Sequence, residues 1–134
     1  MAGRVALDTS FLIDLQRERG RGEHDGPAHA FLRRDPELQL HLSVVALGEF
    51  AGGFEDPDHP VLRVIREFHV LLPIDEETAI EYGKVTRRLR DTGRLIGAND
   101  LWIAATSLRH ELPLVTGNTV EFARVDALDV ITYR

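Results

Sequence analysis

Apolar and polar positions along this chain switch repeatedly between a two-residue and a helical period. Arg4 to Leu7 is a short apolar-rich strand ending at Asp8, and Ser10 to about Arg17 reads as a helix that runs into the glycine-rich polar loop from Gly20 to Gly26. Pro27 suits a first helical position, with Ala30, Phe31 and Arg34 continuing a second short helix. Gln39 to Leu42 alternates as a brief strand. Ser43 is then a natural N-cap for an apolar helix from Val44 to about Ala51, closed by Gly52 and Gly53. A turn from Asp56 to Pro60 leads into a helix over 59–68, and Val70 to Leu72 forms the next strand. Asp75 caps a long helix whose Glu76 and Glu77 sit at the positive end of its dipole. The spacing predicts a buried stripe of Ala79, Tyr82, Val85 and Leu89, an outward face of Lys84, Arg87, Arg88 and Arg90, and an end at Gly93. From about Ala98 to His110, Leu101, Ala104, Ala105 and Leu108 repeat at helical spacing. Strands at Leu112–Thr116 and Asp129–Thr132 complete the pattern.

Strands alternating with helices imply an α/β fold, with a central, mainly parallel sheet covered by helices on both faces. No repeat, low-complexity segment or linker divides the chain, so residues 1–134 are expected to form one domain. In such folds the functional crevice lies beyond the carboxyl ends of the strands. Asp8 directly follows the first strand, and Asn118 follows the Leu112–Thr116 strand after only Gly117. Residues far apart in sequence can therefore meet.

Composition narrows the chemistry. A hydrophobic fraction of 43% and a charged fraction of 28% describe a globular chain. The absence of cysteine excludes disulfides, zinc–thiolate sites and cysteine nucleophiles. With no apolar run suited to a signal peptide or a bilayer span, the expectation is a cytoplasmic protein with no membrane partner. The net charge of −6 argues mildly against nucleic acid. Against that sum stand clumps of arginine, the side chain suited to forked phosphate contacts, including Arg87, Arg88, Arg90 and Arg94. These read either as a solvated helix face or as a guide for RNA.

The 22 acidic residues divide by whether a local base explains them. Asp14 has Arg17 at i+3, Glu67 has Arg63 at i−4, and Glu81 has Lys84 at i+3, so helical ion pairs account for all three. Glu49 lies in a helix apolar nearly all round with no local base; it should meet a cation or else point at solvent from the one open strip. Asp100 likewise starts an apolar helix without a partner, although the dipole alone could hold it there. Asp8 could simply cap the helix that begins near Ser10.

One explanation covers all three. Two carboxylates about 4 Å apart repel by roughly 4 kcal/mol at an effective dielectric of about 20, so a cluster takes up protons or binds a cation. Hard oxygen donors without cysteine or paired histidines favour magnesium or manganese, which with open water positions suits phosphodiester hydrolysis. No phosphate-binding loop, dinucleotide fingerprint or nucleophile elbow occurs, and the six histidines form no metal-ligating helical pair, which leaves them as surface or satisfied residues.

Four blocks then carry a resemblance. They are Leu7-Asp8-Thr9-Ser10-Phe11-Leu12-Ile13-Asp14, Leu42-Ser43-Val44-Val45-Ala46-Leu47-Gly48-Glu49-Phe50-Ala51-Gly52-Gly53, Gly97-Ala98-Asn99-Asp100-Leu101-Trp102-Ile103-Ala104-Ala105 and Leu114-Val115-Thr116-Gly117-Asn118-Thr119-Val120-Glu121-Phe122. In order and spacing they resemble the PIN-domain ribonucleases, and within them the VapC-type toxins of bacterial toxin–antitoxin pairs. The resemblance implies a three-layer α/β/α PIN-like fold and endonucleolytic RNA cleavage dependent on Mg2+ or Mn2+. It makes Asp8 and Asp100 the principal metal ligands, with Glu49 orienting water or a second ion and Thr9 or Ser10 adding a hydroxyl contact. It also implies a homodimer restrained by a cognate VapB-like antitoxin. Many relatives carry an aspartate where this chain has Asn118, so Glu121 is expected to supply the fourth charge with Asn118 in support. Two rivals differ in kind. An aspartyl-phosphate phosphatase needs an aspartate where Ser10 stands, and a catalytically inactive PIN-like module binding RNA or protein has no reason to keep three mutually repelling acids.

Overall fold

The computed structural model describes residues 3–134. The chain runs β1 (Arg4–Leu7), α1 (Thr9–Gly20), α2 (Pro27–Arg34), β2 (Gln39–Ser43), α3 (Val44–Ala51), α4 (Pro60–Phe68), β3 (Val70–Leu72), α5 (Glu76–Asp91), α6 (Ala98–Arg109), β4 (Leu114–Val115), α7 (Thr119–Phe122) and β5 (Val130–Ile131). All strand pairs are parallel, in the order β3-β2-β1-β4-β5. Val5, Ala6 and Leu7 of the central strand are all buried. Successive strand residues point to opposite faces, so helices cover both sides, as the α/β/α expectation required.

The order of the strands places the site. From β1 the chain builds outward through β2 and β3 on one side, then crosses to lay down β4 and β5 on the other. The reversal leaves a crevice beyond the carboxyl ends of β1 and β4. In that register Leu7 pairs with Val115, and the Asp8 amide donates to the Val115 carbonyl at 2.9 Å. Asp8 and Thr116 are thereby the first residues past two adjacent strands.

Local signals explain most element boundaries. The Ser43 hydroxyl caps α3 by accepting from the Val45 amide at 3.0 Å, and the Asp75 carboxylate caps α5 by accepting from the Thr78 amide at 2.8 Å. The His59 ring takes the capping role at α4, accepting from the Val61 amide at 3.1 Å ahead of Pro60. Gly93 ends α5 with φ 65°, a conformation that costs glycine little. The α2 N-terminus is served from a distance: Glu18 of α1 accepts from the Ala28 and His29 amides at 2.9 and 3.0 Å.

Several sequence expectations need correction. The first helix continues to Gly20 because Glu18 turns inward and is buried rather than starting the loop. The buried stripe of α5 is Thr78, half-buried Tyr82, Val85 and Leu89; Ala79 is exposed. Thr78 satisfies its hydroxyl on Asp75 at 2.7 Å and so tolerates the interior, while Tyr82 stacks on Trp102 at 3.8 Å. Asp14 pairs with Arg134 at 2.7 Å and accepts from the Tyr133 hydroxyl at 2.6 Å, not with Arg17. Glu67 forms no ion pair with Arg63 among the described residues, whereas Lys84 does reach Glu81 at 3.7 Å. The histidine expectation fails at His41, which is buried in β2 with Nδ1 lacking a partner and a pKa lowered by burial, then by Arg4 and His110.

Candidate active site

Asp8 occupies the N-cap position of α1, yet its side chain makes no capping bond. It is buried, and its Oδ2 instead accepts from the Ser10 hydroxyl and the Thr116 hydroxyl, each at 2.7 Å. Those hydroxyls are themselves oriented from behind, Ser10 Oγ accepting from the Gly117 amide at 3.0 Å and Thr116 Oγ1 from the Asn118 amide at 2.9 Å. Both donors fall on one oxygen. Among the described residues Oδ1 has no donor, so one side of the carboxylate stays available to a cation.

Glu49 is exposed on α3, together with Val44 and Gly48, so this largely apolar helix is not buried all round. No basic side chain pairs with Glu49 among the described residues. Two neutral donors hold the carboxylate instead, the Thr9 hydroxyl at 2.7 Å on Oε1 and the Asn99 amide at 3.2 Å on Oε2. Since Thr9 follows Asp8 and Asn99 precedes Asp100, this pair of bonds ties α3 to the segments carrying both aspartates.

Asp100 sits half-buried in the first turn of α6. Its carboxyl is pushed up to about 7, first by burial, then by the charge of Asp8, by the charge and hydrogen-bond acceptance of Glu121, and by Glu49. The groups named as acting on it are all acidic, so Asp8, Glu49, Asp100 and Glu121 share one electrostatic environment. Glu121, in the short helix α7, also accepts from the Asn118 side-chain amide at 3.3 Å. The four predicted acids and the supporting Thr9, Ser10 and Asn118 thus come together in the crevice.

The donor set suits a hard divalent cation. Four carboxylates without a facing base, one of them forced to hold a proton near neutrality, form a field that a cation relieves. Among the described residues no group of three His, Asp or Glu side chains stands close enough together to hold a metal ion by itself.

The predicted arginines lie apart from this cluster. Arg87 reaches Asp91 at 3.8 Å and Arg90 is exposed, while Arg88 and Arg94 border a separate cavity. Thr116 and Asn99 were not singled out from sequence. For Thr116 the signal was a polar residue directly ending an apolar strand; for Asn99 it was an amide beside an unpaired acid.

Known proteins match this chain along most of its length. The model of the PIN domain matches residues 5–128. Ribonuclease VapC1 of Methanocaldococcus jannaschii is 31% identical, over 97% of this chain and 87% of its own length. Ribonuclease VapC of Rickettsia bellii is 35% identical over 96% and 95%. Among solved structures, VapBC-1 of nontypeable Haemophilus influenzae superposes with a TM-score of 0.78 at 28% identity, covering 97% of this chain and 98% of its counterpart. VapBC2 of Rickettsia felis, bound to a DNA fragment from its promoter, shares the fold with a TM-score of 0.80 at 20% identity, over 98% and 99%. With Asp8 directly past β1 and residues 5–128 matched, the chain belongs to the PIN-domain family, among the VapC ribonucleases.

Proposed function

We propose that this chain is an endoribonuclease dependent on Mg2+ or Mn2+, the toxin of a VapBC-type pair. The observation that carries the reading is Asp100, whose carboxyl is raised to about 7 by burial and by Asp8, Glu121 and Glu49. Such a site is electrostatically incomplete without a cation. Asp8 and Asp100 would hold the ion, which supplies charge neutralisation at the phosphodiester and activation of water. Glu49, fixed by Thr9 and Asn99, orients the attacking water. Glu121 accepts a proton shared with Asp100, and Asn118 keeps it directed inward.

The solved relatives are VapBC complexes, which supports a VapB-like antitoxin as this chain's partner. We also assign it a homodimeric state and a cytoplasmic location; no described helix is long and apolar enough to cross a membrane. The test is cleavage of a mixed RNA pool by the purified chain with Mg2+, with Mn2+ and with chelator. Internal cleavage that needs the ion and disappears in Asp8→Asn is expected. Undiminished cleavage in chelator would overturn the metal assignment, and RNA binding without any cleavage would make the chain an inactive module.

A further inference from the structure

The arginine-rich stretch that reads along the sequence as one helix face is split by the fold. Arg88 and Arg94 meet Arg124 around a cavity of 280 Å³ between the end of α5 and the segment following α7. Val85, Leu89 and Val125, each 4% exposed, form its apolar floor. Asp91 and Asp126 join the three guanidiniums at its rim. Short stretches of chain link its Arg124 wall to Glu121 and to the helix of Asp100. Arg124 follows Glu121 by three residues and donates its amide to the Glu121 carbonyl at 3.1 Å. Its Nη1 donates to the Leu95 carbonyl at 3.2 Å, on the loop that leads into the helix of Asp100.

We propose that this cavity is a subsite for one unpaired nucleotide of the RNA strand, with a preference for guanine. The inference rests on the ribonuclease reading above. Each component of the cavity matches a different part of such a ligand. Arginines suit the forked recognition of a phosphate, and an apolar floor suits the face of an unstacked base. A free inorganic anion would gain nothing from that floor and would be repelled by the two carboxylates. Asp91 is already engaged by Arg87 at 3.8 Å, whereas Asp126 pairs with no base among the described residues, and the Watson–Crick edge of guanine presents two adjacent N–H groups to a single carboxylate. Adenine and cytosine each offer one exocyclic amino group there, and uracil flanks its lone N–H with carbonyls. The subsite therefore reads base identity next to a catalytic cluster that has no means of doing so.

The test uses the full chain carrying Asp8→Asn, so that RNA is bound but not cut, and titrates the four nucleoside 5′-monophosphates by calorimetry or amide chemical shifts. GMP should bind about tenfold more tightly than the others, with perturbations at Arg88, Leu95 and Arg124. Asp126→Asn should erase that preference while retaining binding, and Arg88→Gln should weaken all four nucleotides about equally. Melting midpoints check that each variant is folded. Arg124→Lys keeps the charge should Arg124→Gln disturb the Leu95 loop. Equal affinity for all four nucleotides, or wild-type GMP binding in Asp126→Asn, overturns the proposal. Absence of cleavage by the unmutated chain would remove the ribonuclease reading while leaving a measured guanine preference intact, so the two failures are distinguishable.

Discussion

The Thr116 hydroxyl, one residue past β4, donates at 2.7 Å to the carboxylate of Asp8, one residue past β1. The Leu7–Val115 register makes the contact possible, and complete burial of Thr116 makes it costly to lose. Thr116→Val should remove one donor to Asp8 and the acceptor for the Asn118 amide, destabilising the fold by about 2 kcal/mol. RNA cleavage should fall with it, and Thr116→Ser should restore both. Urea denaturation alongside a cleavage assay checks this, and a valine variant with wild-type values in both would remove Thr116 from the site.

Asp100 gives the stability a pH dependence of defined sign. Its carboxyl titrates at about 7 in the fold against an ordinary value of 3.8, so the folded chain holds this proton more tightly than the unfolded one. Stability from this group is therefore present at low pH and lost as pH rises from about 4 to 7. Asp100→Asn should be more stable than wild type at pH 8, by about 1–2 kcal/mol once solvent screening of a half-exposed group is allowed for, and should match it near pH 4. His41 and His69, both lowered mainly by burial, act in the opposite sense below about 6.5. They cancel in the comparison. Denaturation of both proteins without divalent ions, across that range, decides the matter.

Glu121 and Asn118 should separate cleanly. Glu121 raises Asp100 both as a like charge and as a hydrogen-bond acceptor, whereas the Asn118 side chain, among the described residues, bonds only to Glu121. Glu121→Gln should weaken Mn2+ binding about tenfold and move its pH midpoint downward, because Asp100 then releases its proton more easily. Asn118→Ala should do less in both respects. Wild-type behaviour in Glu121→Gln would leave a site of three acids.

Glu18 supplies a prediction about the scaffold. Burial raises its carboxyl, but the amides of His29 and Ala28 and the His29 ring outweigh that and hold it below the usual range. A Cβ at Gly26 would overlap the Glu18 side chain. Gly26→Ala should therefore cost about 2 kcal/mol, read as a lower urea midpoint with an unchanged slope. A neutral substitution would mean that the carboxylate can move without loss.

How much of this could be read in the sequence follows from the range of the forces involved. Apolar periodicity, capping residues and glycine stops act within a few residues, and they located the strands and helices to within a turn. The failure to find local bases for Asp8, Glu49 and Asp100 is also a statement about near neighbours, and it singled out three acids that share one electrostatic environment in the fold. Where the partner lay far along the chain, the sequence was silent. Asp14 appeared to belong to Arg17 but is held by Tyr133 and Arg134, 119 and 120 positions away in the sequence. Glu49 has no local base, and the donors that hold its carboxylate, Thr9 and Asn99, lie 40 and 50 residues away. The arginines of one helix face went to different neighbours once α5 packed beside the segment carrying Arg124. Local pattern determined which elements form and which acids stand unexplained. Strand order and register, set by burial of both sheet faces at once, decided which side chains meet.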